Sequence, residues 1–176
     1  DKEYQLKFDH SIQKQTNHLL NVIKRSNEVG NKMIGCAAII LTGLAYRDNE
    51  NYLGNGVNLL KKIIKSSIDN QGFPKSRSIK QLSFYLKYFI IIREWFKESQ
   101  NTIPEYIDET IYYLGQSYAF VWQNINQDIF FNGNYISNND EFDQYLKRFG
   151  YKFKNENKEL AGYVILKNRR VTLTMD

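Results

Sequence analysis

The sequence predicts a mainly helical protein followed by antiparallel β-strands. Apolar residues recur at helical spacing from about Asp9 to Phe149. From Ala161 the spacing falls to two, and apolar side chains alternate with others at Val164, Leu166, Val171, Leu173 and Met175. A lone hairpin is marginal in water. We therefore expect these strands to belong to a larger sheet, and the 176 residues to be an internal piece of a longer protein.

Three helices are predicted in the first part of the chain. The first covers residues 11–25, and its apolar stripe ends at Ile23. The second covers residues 32–46. It is apolar nearly all round and rich in small residues, which predicts burial between close neighbours. The third helix covers residues 50–67.

Two longer helices follow a polar loop at residues 69–78. The first of them is predicted at residues 79–98. Pro104 opens the next helix, which extends to residue 123, because proline is favoured in the first turn.

An Asn-rich loop at residues 124–139 then precedes a short helix at residues 140–149, which Gly150 closes. Helices of this length with short connections favour antiparallel hairpins. Such hairpins can form a bundle, a solenoid or a closed toroid, and periodicity does not choose among them.

The charge balance favours a polyanionic partner, since the net charge is +5 and the pI is about 9.1. The Lys and Arg residues are scattered, however, with no block of like charges. We therefore predict a solvated basic surface and no nucleic-acid partner. No stretch approaches the roughly 20 apolar residues of a membrane span, so none is predicted. These features do not fix the compartment.

The sequence offers little for metal or redox chemistry. Cys36 is the single cysteine, so no internal disulfide can form, and its apolar surroundings predict a buried thiol. His10 and His18 stand two helical turns apart without a matching carboxylate cluster. We expect neither a metal nor a cofactor.

The order of several short segments is distinctive. It consists of the Ser26-Asn27 break, a small-residue helix, the Ser76-Arg77-Ser78 segment of the polar turn, Phe131-Asn132-Gly133, and Ala161-Gly162-Tyr163 where the strands begin. This order over residues 11–176 resembles the heparinase II/III-type polysaccharide lyases. The resemblance is strongest to the branch with a Ser-Arg pair in the polar turn.

The resemblance implies a fold and a substrate class. Residues 1–150 would be the C-terminal part of an incomplete (α/α) toroid of antiparallel helix hairpins. Residues 151–160 would link it to residues 161–176, the first strands of an antiparallel β-sandwich domain that the same chain completes elsewhere. Members of the family cleave acidic, uronate-containing polysaccharides by β-elimination. The implied partner is an acidic polysaccharide or oligosaccharide, and the piece alone is expected to be inactive.

The resemblance also implies site residues. Asn27 and Arg77 would be catalytic, because they would neutralise the carboxylate of the substrate. Lys75, Ser76 and Asn132 would bind the substrate. No residue of this site would hold a metal or a cofactor.

Structural interpretations stand beside these roles. Ser26-Asn27 is also typical of a helix cap, and Asn132-Gly133 of a turn. Ser76-Arg77-Ser78 is also typical of a loop whose serine caps the following helix.

Two departures from the family pattern keep other functions open. Glu28 stands where the family has His, and Ile79 follows Ser78 where the family has a segment with Tyr and His. Tyr85 and Tyr88 are the substitute candidates for the base, and their helical positions are equally typical of core residues. One alternative is a non-catalytic relative that binds a glycan or a cell-envelope polymer. Another is a helical protein-interaction scaffold.

Overall fold

A computed structural model describes residues 2–46, 51–124, 140–169 and 171–175. These residues form six α-helices, one short 3₁₀ turn and three strands. The helices are α1 (Lys2–Val22), α2 (Val29–Ala45), α3 (Tyr52–Ser67), α4 (Ile79–Glu98), α5 (Glu105–Asn124) and α6 (Asp140–Arg148), and the 3₁₀ turn is Ile23–Arg25. The strands are β1 (Glu159–Leu160), β2 (Tyr163–Lys167) and β3 (Thr172–Met175). The predicted order, helices first and antiparallel strands last, is confirmed.

The chain divides into two compact units. The first consists of Asp1–Ser66 and Ile91–Ile103, and the second of Ser67–Ile90 and Pro104–Asp176. Helix α4 contributes its first part to the second unit and its last part to the first unit.

Close approach of α2 and α3 builds the core of the first unit. Ile23, Ile39 and Tyr52 are buried together there. A Cβ at Gly43 of α2 would lie 2.7 Å from Cα of Leu53 in α3, so the absence of a side chain at Gly43 allows the two helices to approach closely. The predicted role of small residues in this helix pair is confirmed.

Two features of the first unit differ from the predictions. Helix α1 begins at Lys2 rather than near residue 11, because its first turns have no inward stripe that periodicity could detect. Their apolar side chains, such as Leu6, are exposed. Helix α2 is not buried all round, since Ile34 and Leu41 are 46% and 43% exposed.

The second unit contains α5, α6, the first part of α4 and the sheet. The sheet has the order β1-β2-β3, and both pairs are antiparallel. Tyr163 and Ile165 of β2 are buried, whereas Leu166 is exposed and pairs with Leu173, which is also exposed. The predicted hairpin of β2 and β3 is therefore present. Strand β1 lies within residues 151–160, the stretch expected to be a linker.

Candidate functional site

The polar turn between α3 and α4 has a fixed backbone because of Asp69. Its Oδ1 atom accepts hydrogen bonds from the N–H groups of Gln71 at 2.9 Å and Phe73 at 2.8 Å. Its own N–H donates to the Phe73 carbonyl at 2.8 Å. The Lys75 N–H donates to the Ser67 carbonyl at 2.9 Å. An Asp at the start of such a turn hydrogen-bonds the backbone that follows it, so the turn is ordered by local sequence.

The same turn is anchored to α5 and to the sheet. Gly72, with φ of +76°, lies against the backbone of Tyr113, where a Cβ would overlap it. The Gln71 carbonyl accepts a hydrogen bond from Ser117 Oγ at 3.1 Å. Gln71 Oε1 accepts one from the Ala161 N–H at 2.6 Å. Contacts with α5 and with the residue that precedes β2 therefore hold the polar turn in place, although both lie far from it in the sequence.

Arg77 occupies the end of this turn in an unusual conformation. Its φ is +60°, in the left-handed region that disfavours residues other than glycine. Its carbonyl accepts a 2.8 Å hydrogen bond from the phenol of Tyr163, and its guanidinium carbon lies 4.4 Å from the centroid of the same ring. A Cβ at Gly162 would lie 2.7 Å from Nη1 of Arg77. Arg77 is half-buried, and its guanidinium lies against Tyr163 of β2.

Gly162 reaches this position through a tight turn. Ala161 and Gly162 connect β1 to β2, and both have positive φ, +51° and +79°. Two residues of positive φ between antiparallel strands match the type I′ hairpin turn. This turn places Gly162 beside the guanidinium and Tyr163 beneath it.

Ser76 and Ser78 organise the start of α4. Ser78 Oγ accepts a hydrogen bond from the Gln81 N–H at 3.3 Å, so the interpretation of Ser78 as a cap is confirmed. Ser76 Oγ donates to Gln81 Oε1 at 2.7 Å and accepts from the Ser78 N–H at 3.3 Å. Lys75 is exposed, two positions before Arg77. The turn therefore carries two cations, Lys75 and Arg77, on either side of Ser76. The Ser76 hydroxyl is already hydrogen-bonded within the protein.

Asn27 lies in the first unit, exposed between the 3₁₀ turn and α2. The N-cap of α2 is Glu28, without a side-chain cap hydrogen bond, so the interpretation of Ser26-Asn27 as the cap is wrong. The Glu28 carboxylate instead accepts a hydrogen bond from the Asn31 side chain. Because Arg77 belongs to the second unit, its grouping with Asn27 stays a prediction. Asn132 lies outside the described residues.

The two tyrosines considered as a base are packed into the protein. Tyr85 is 1% exposed, and burial raises the pKa of its phenol, an effect that the Ser67 hydroxyl opposes only partly. Tyr88 is half-buried, with its ring 4.8 Å from that of Phe84. The buried, protonated phenol of Tyr85 is therefore unsuited to taking a proton from a bound sugar.

Sequence reasoning missed Tyr163, Gly162 and Gln71 as parts of this site. The available signal was Gly162 directly before an alternating strand, because glycine readily adopts the positive φ that a tight hairpin turn requires. Within the described residues, no group of three His, Cys, Asp or Glu side chains could hold a metal ion. No helix in that part of the chain is long and apolar enough to cross a membrane.

No protein-family model matches this chain, and neither a curated protein nor a solved structure is significantly similar to it. The family resemblance therefore rests on the sequence segments alone.

Proposed function

We propose that the protein binds an acidic polysaccharide through Arg77 and cleaves it by β-elimination, like the heparinase II/III-type lyases that its sequence resembles. The proposal includes their framework, an (α/α) toroid of helix hairpins joined to an antiparallel β-sandwich. The observation that carries it is the position of half-buried Arg77 at the end of the polar turn, with its guanidinium carbon over the Tyr163 ring at 4.4 Å from the centroid.

The stacking favours recognition of a carboxylate. The Arg77 guanidinium carbon lies over the Tyr163 ring, and the N–H groups of a guanidinium lie in its own plane. In-plane N–H pairs match the two oxygens of a carboxylate, and this bidentate contact is stronger than a single neutral hydrogen bond. Exposed Lys75 adds a second positive charge to the same turn. A uronate sugar supplies the matching anion.

Neutralising that carboxylate is also the first requirement of β-elimination. It acidifies the proton on the adjacent ring carbon, and a base then removes this proton. The electron pair forms a carbon–carbon double bond while the bond to the leaving glycosidic oxygen breaks, and that oxygen takes up a proton. Donors fixed before the substrate binds stabilise the charge that develops on the carboxylate. Arg77 meets this condition, because its backbone and its guanidinium both contact Tyr163.

A second candidate function is glycan binding without cleavage. It is favoured by the burial of Tyr85, the tyrosine that follows most closely after the turn. The Tyr-His segment of the family is replaced by Ile79 and its neighbours. In this case Arg77 would hold the same carboxylate, and no proton transfer would follow.

The two functions are separated by incubating the full-length protein with a panel of uronate polysaccharides. The ultraviolet absorbance of the unsaturated product reports cleavage, and equilibrium binding is measured on the same polymers. The lyase proposal expects absorbance to rise with the wild type and with Lys62→Ala, an exposed lysine of α3, and to stay flat with Arg77→Ala. Binding with a flat trace on every polymer supports the non-catalytic function. No binding on any polymer overturns both.

A further inference from the structure

A cavity of about 670 Å³ lies where α5, α6 and the segment after α6 meet. This volume is within the range of small-ligand pockets. Tyr118 and Trp122 line it from α5, one helical turn apart on the same face. Tyr151 and Phe153 line it from the following segment, as alternate residues of an extended stretch. Four aromatic side chains therefore converge on one space.

Gly150 reverses the chain after α6, and the segment that follows it lines the cavity. Its φ of +74° is left-handed, its N–H donates to the Lys147 carbonyl at 3.1 Å, and the Tyr151 N–H donates to the Leu146 carbonyl at 2.9 Å. This pair of bonds is the Schellman motif that reverses a chain after a helix. The rings of Tyr151 and Phe153 then stack with centroids 5.9 Å apart.

Three further contacts fix the walls. The Phe153 ring lies directly on Gly115 of α5, where a Cβ would overlap it. Asn155 Nδ2 donates to the Gln116 carbonyl at 3.0 Å. The Tyr118 phenol donates to Asp143 Oδ1 at 2.8 Å, which ties α6 to α5. Walls held by their own contacts lose little freedom when a ligand enters, and this favours binding.

The charges around the cavity favour an anion. Lys147 and Lys152 line it and are exposed. Asp143 is the one acidic residue among the described lining residues, and it already accepts the Tyr118 hydrogen bond. Aromatic faces suit the C–H face of a sugar ring, and ammonium groups suit a carboxylate.

We propose that this cavity binds one acidic sugar unit of the uronate class, at a site separate from the Arg77 turn. The chemical class of the ligand rests on the proposed function. The presence of the cavity is independent of that function, since Arg77 is not among the residues that line it. It would hold a second unit of the same polymer and would so increase the effective concentration of the chain near Arg77.

The test is a fluorescence titration of the full-length protein with glucuronate, and with glucose as the neutral control. A Trp95→Phe background leaves Trp122 as the reporter within the 176 residues, which contain two tryptophans. The double variant Lys147→Ala/Lys152→Ala should bind glucuronate about tenfold more weakly. Lys62→Ala/Lys154→Ala removes the same charge from exposed positions outside the lining and should titrate like the wild type.

We expect the fluorescence to change saturably with glucuronate and not with glucose. The cavity variant Lys147→Ala/Lys152→Ala should weaken this response, and Arg77→Ala should retain it. The proposal is overturned by an absent response, by an equal response to glucose, or by unchanged affinity in the cavity variant. A response lost only in Arg77→Ala would place the sugar at the turn. That outcome would refute the cavity site and leave the proposed function standing.

Discussion

Tyr163 contacts Arg77 through both its hydroxyl and its ring. The phenol donates a 2.8 Å hydrogen bond to the Arg77 carbonyl, and the guanidinium carbon lies 4.4 Å from the ring centroid. The left-handed backbone of Arg77 costs on the order of 1–3 kcal/mol, and the two Tyr163 contacts offset part of that cost. Since the residues are 86 positions apart, this pair fixes the polar turn relative to β2 within the second unit.

We predict that the hydrogen bond from Tyr163 to the Arg77 carbonyl contributes to stability. We expect Tyr163→Phe to lower the free energy of unfolding by about 1 kcal/mol, because the Arg77 carbonyl loses its donor. Tyr163→Leu, which also removes the buried ring, should lower it by about 3 kcal/mol. Denaturant unfolding measures both. Tyr112→Phe is the control, since Tyr112 is 57% exposed, and equal values for Tyr163→Phe and Tyr112→Phe would show that the bond contributes nothing.

Gly162 makes room for the guanidinium, and a comparison with Gly150 isolates this role. Both glycines have positive φ, so alanine at either position costs about 1–2 kcal/mol in the backbone. Nothing lies within 4 Å of a Cβ at Gly150, whereas one at Gly162 would be 2.7 Å from Arg77.

Gly162→Ala should therefore destabilise more than Gly150→Ala, by about 0.5–1 kcal/mol for the displaced cation–π contact. Denaturant unfolding of both variants is repeated in an Arg77→Ala background, where this difference should disappear. A difference that persists without the Arg77 side chain would contradict the assignment.

Gly115 allows Phe153 to lie on the backbone of α5. Gly→Ala in a helix normally stabilises by about 1 kcal/mol, but here the new Cβ would overlap the Phe153 ring. We expect Gly115→Ala to destabilise by about 1–3 kcal/mol because of overpacking. In a Phe153→Ala background the same change should become stabilising. Thermal or denaturant unfolding measures the sign, and a stabilising effect in the wild type would refute the contact.

Cys36 should make stability depend on alkaline pH. Burial raises the pKa of its thiol from 9.0 to about 12, and Sγ lies 3.3 Å from the Gly56 carbonyl oxygen. The folded state therefore holds the thiol proton more tightly than the unfolded state. This contribution is complete below about pH 9 and is lost as the pH rises toward 12.

Unfolding free energies measured across that pH range should fall more steeply for the wild type than for Cys36→Ala. Tyrosine and lysine titrations are common to the two proteins and cancel in the comparison. Parallel curves would mean that the thiol titrates normally in the folded protein.

Local patterns predicted most of the helices. Helix α4 covers residues 79–98 as expected, because its apolar period is strong and Ser78 caps it. The first turns of α1 were missed since their apolar side chains, Tyr4 among them, face solvent and form no inward stripe. Strand β1 was missed because two residues are too few to show alternation.

The candidate site was predictable only in part. The sequence indicated a polar turn with Arg77 in it, and capping by Ser78, because these depend on neighbouring residues. The support from Tyr163 depends on contacts across 86 positions, and the Gln71–Ala161 hydrogen bond spans 90. A single sequence carries no local signal for such pairs.

The most direct test of the central claim is equilibrium binding of a uronate polysaccharide and of the same polymer with its carboxylates reduced to alcohols. The wild type should bind the acidic polymer and not the reduced one. Arg77→Lys keeps the charge but loses the planar fork and the stacking on Tyr163, so it should bind about tenfold more weakly. Unfolding measurements confirm that the variant is folded. Equal binding of the two polymers, or unchanged affinity in Arg77→Lys, would contradict the claim that Arg77 recognises a uronate carboxylate.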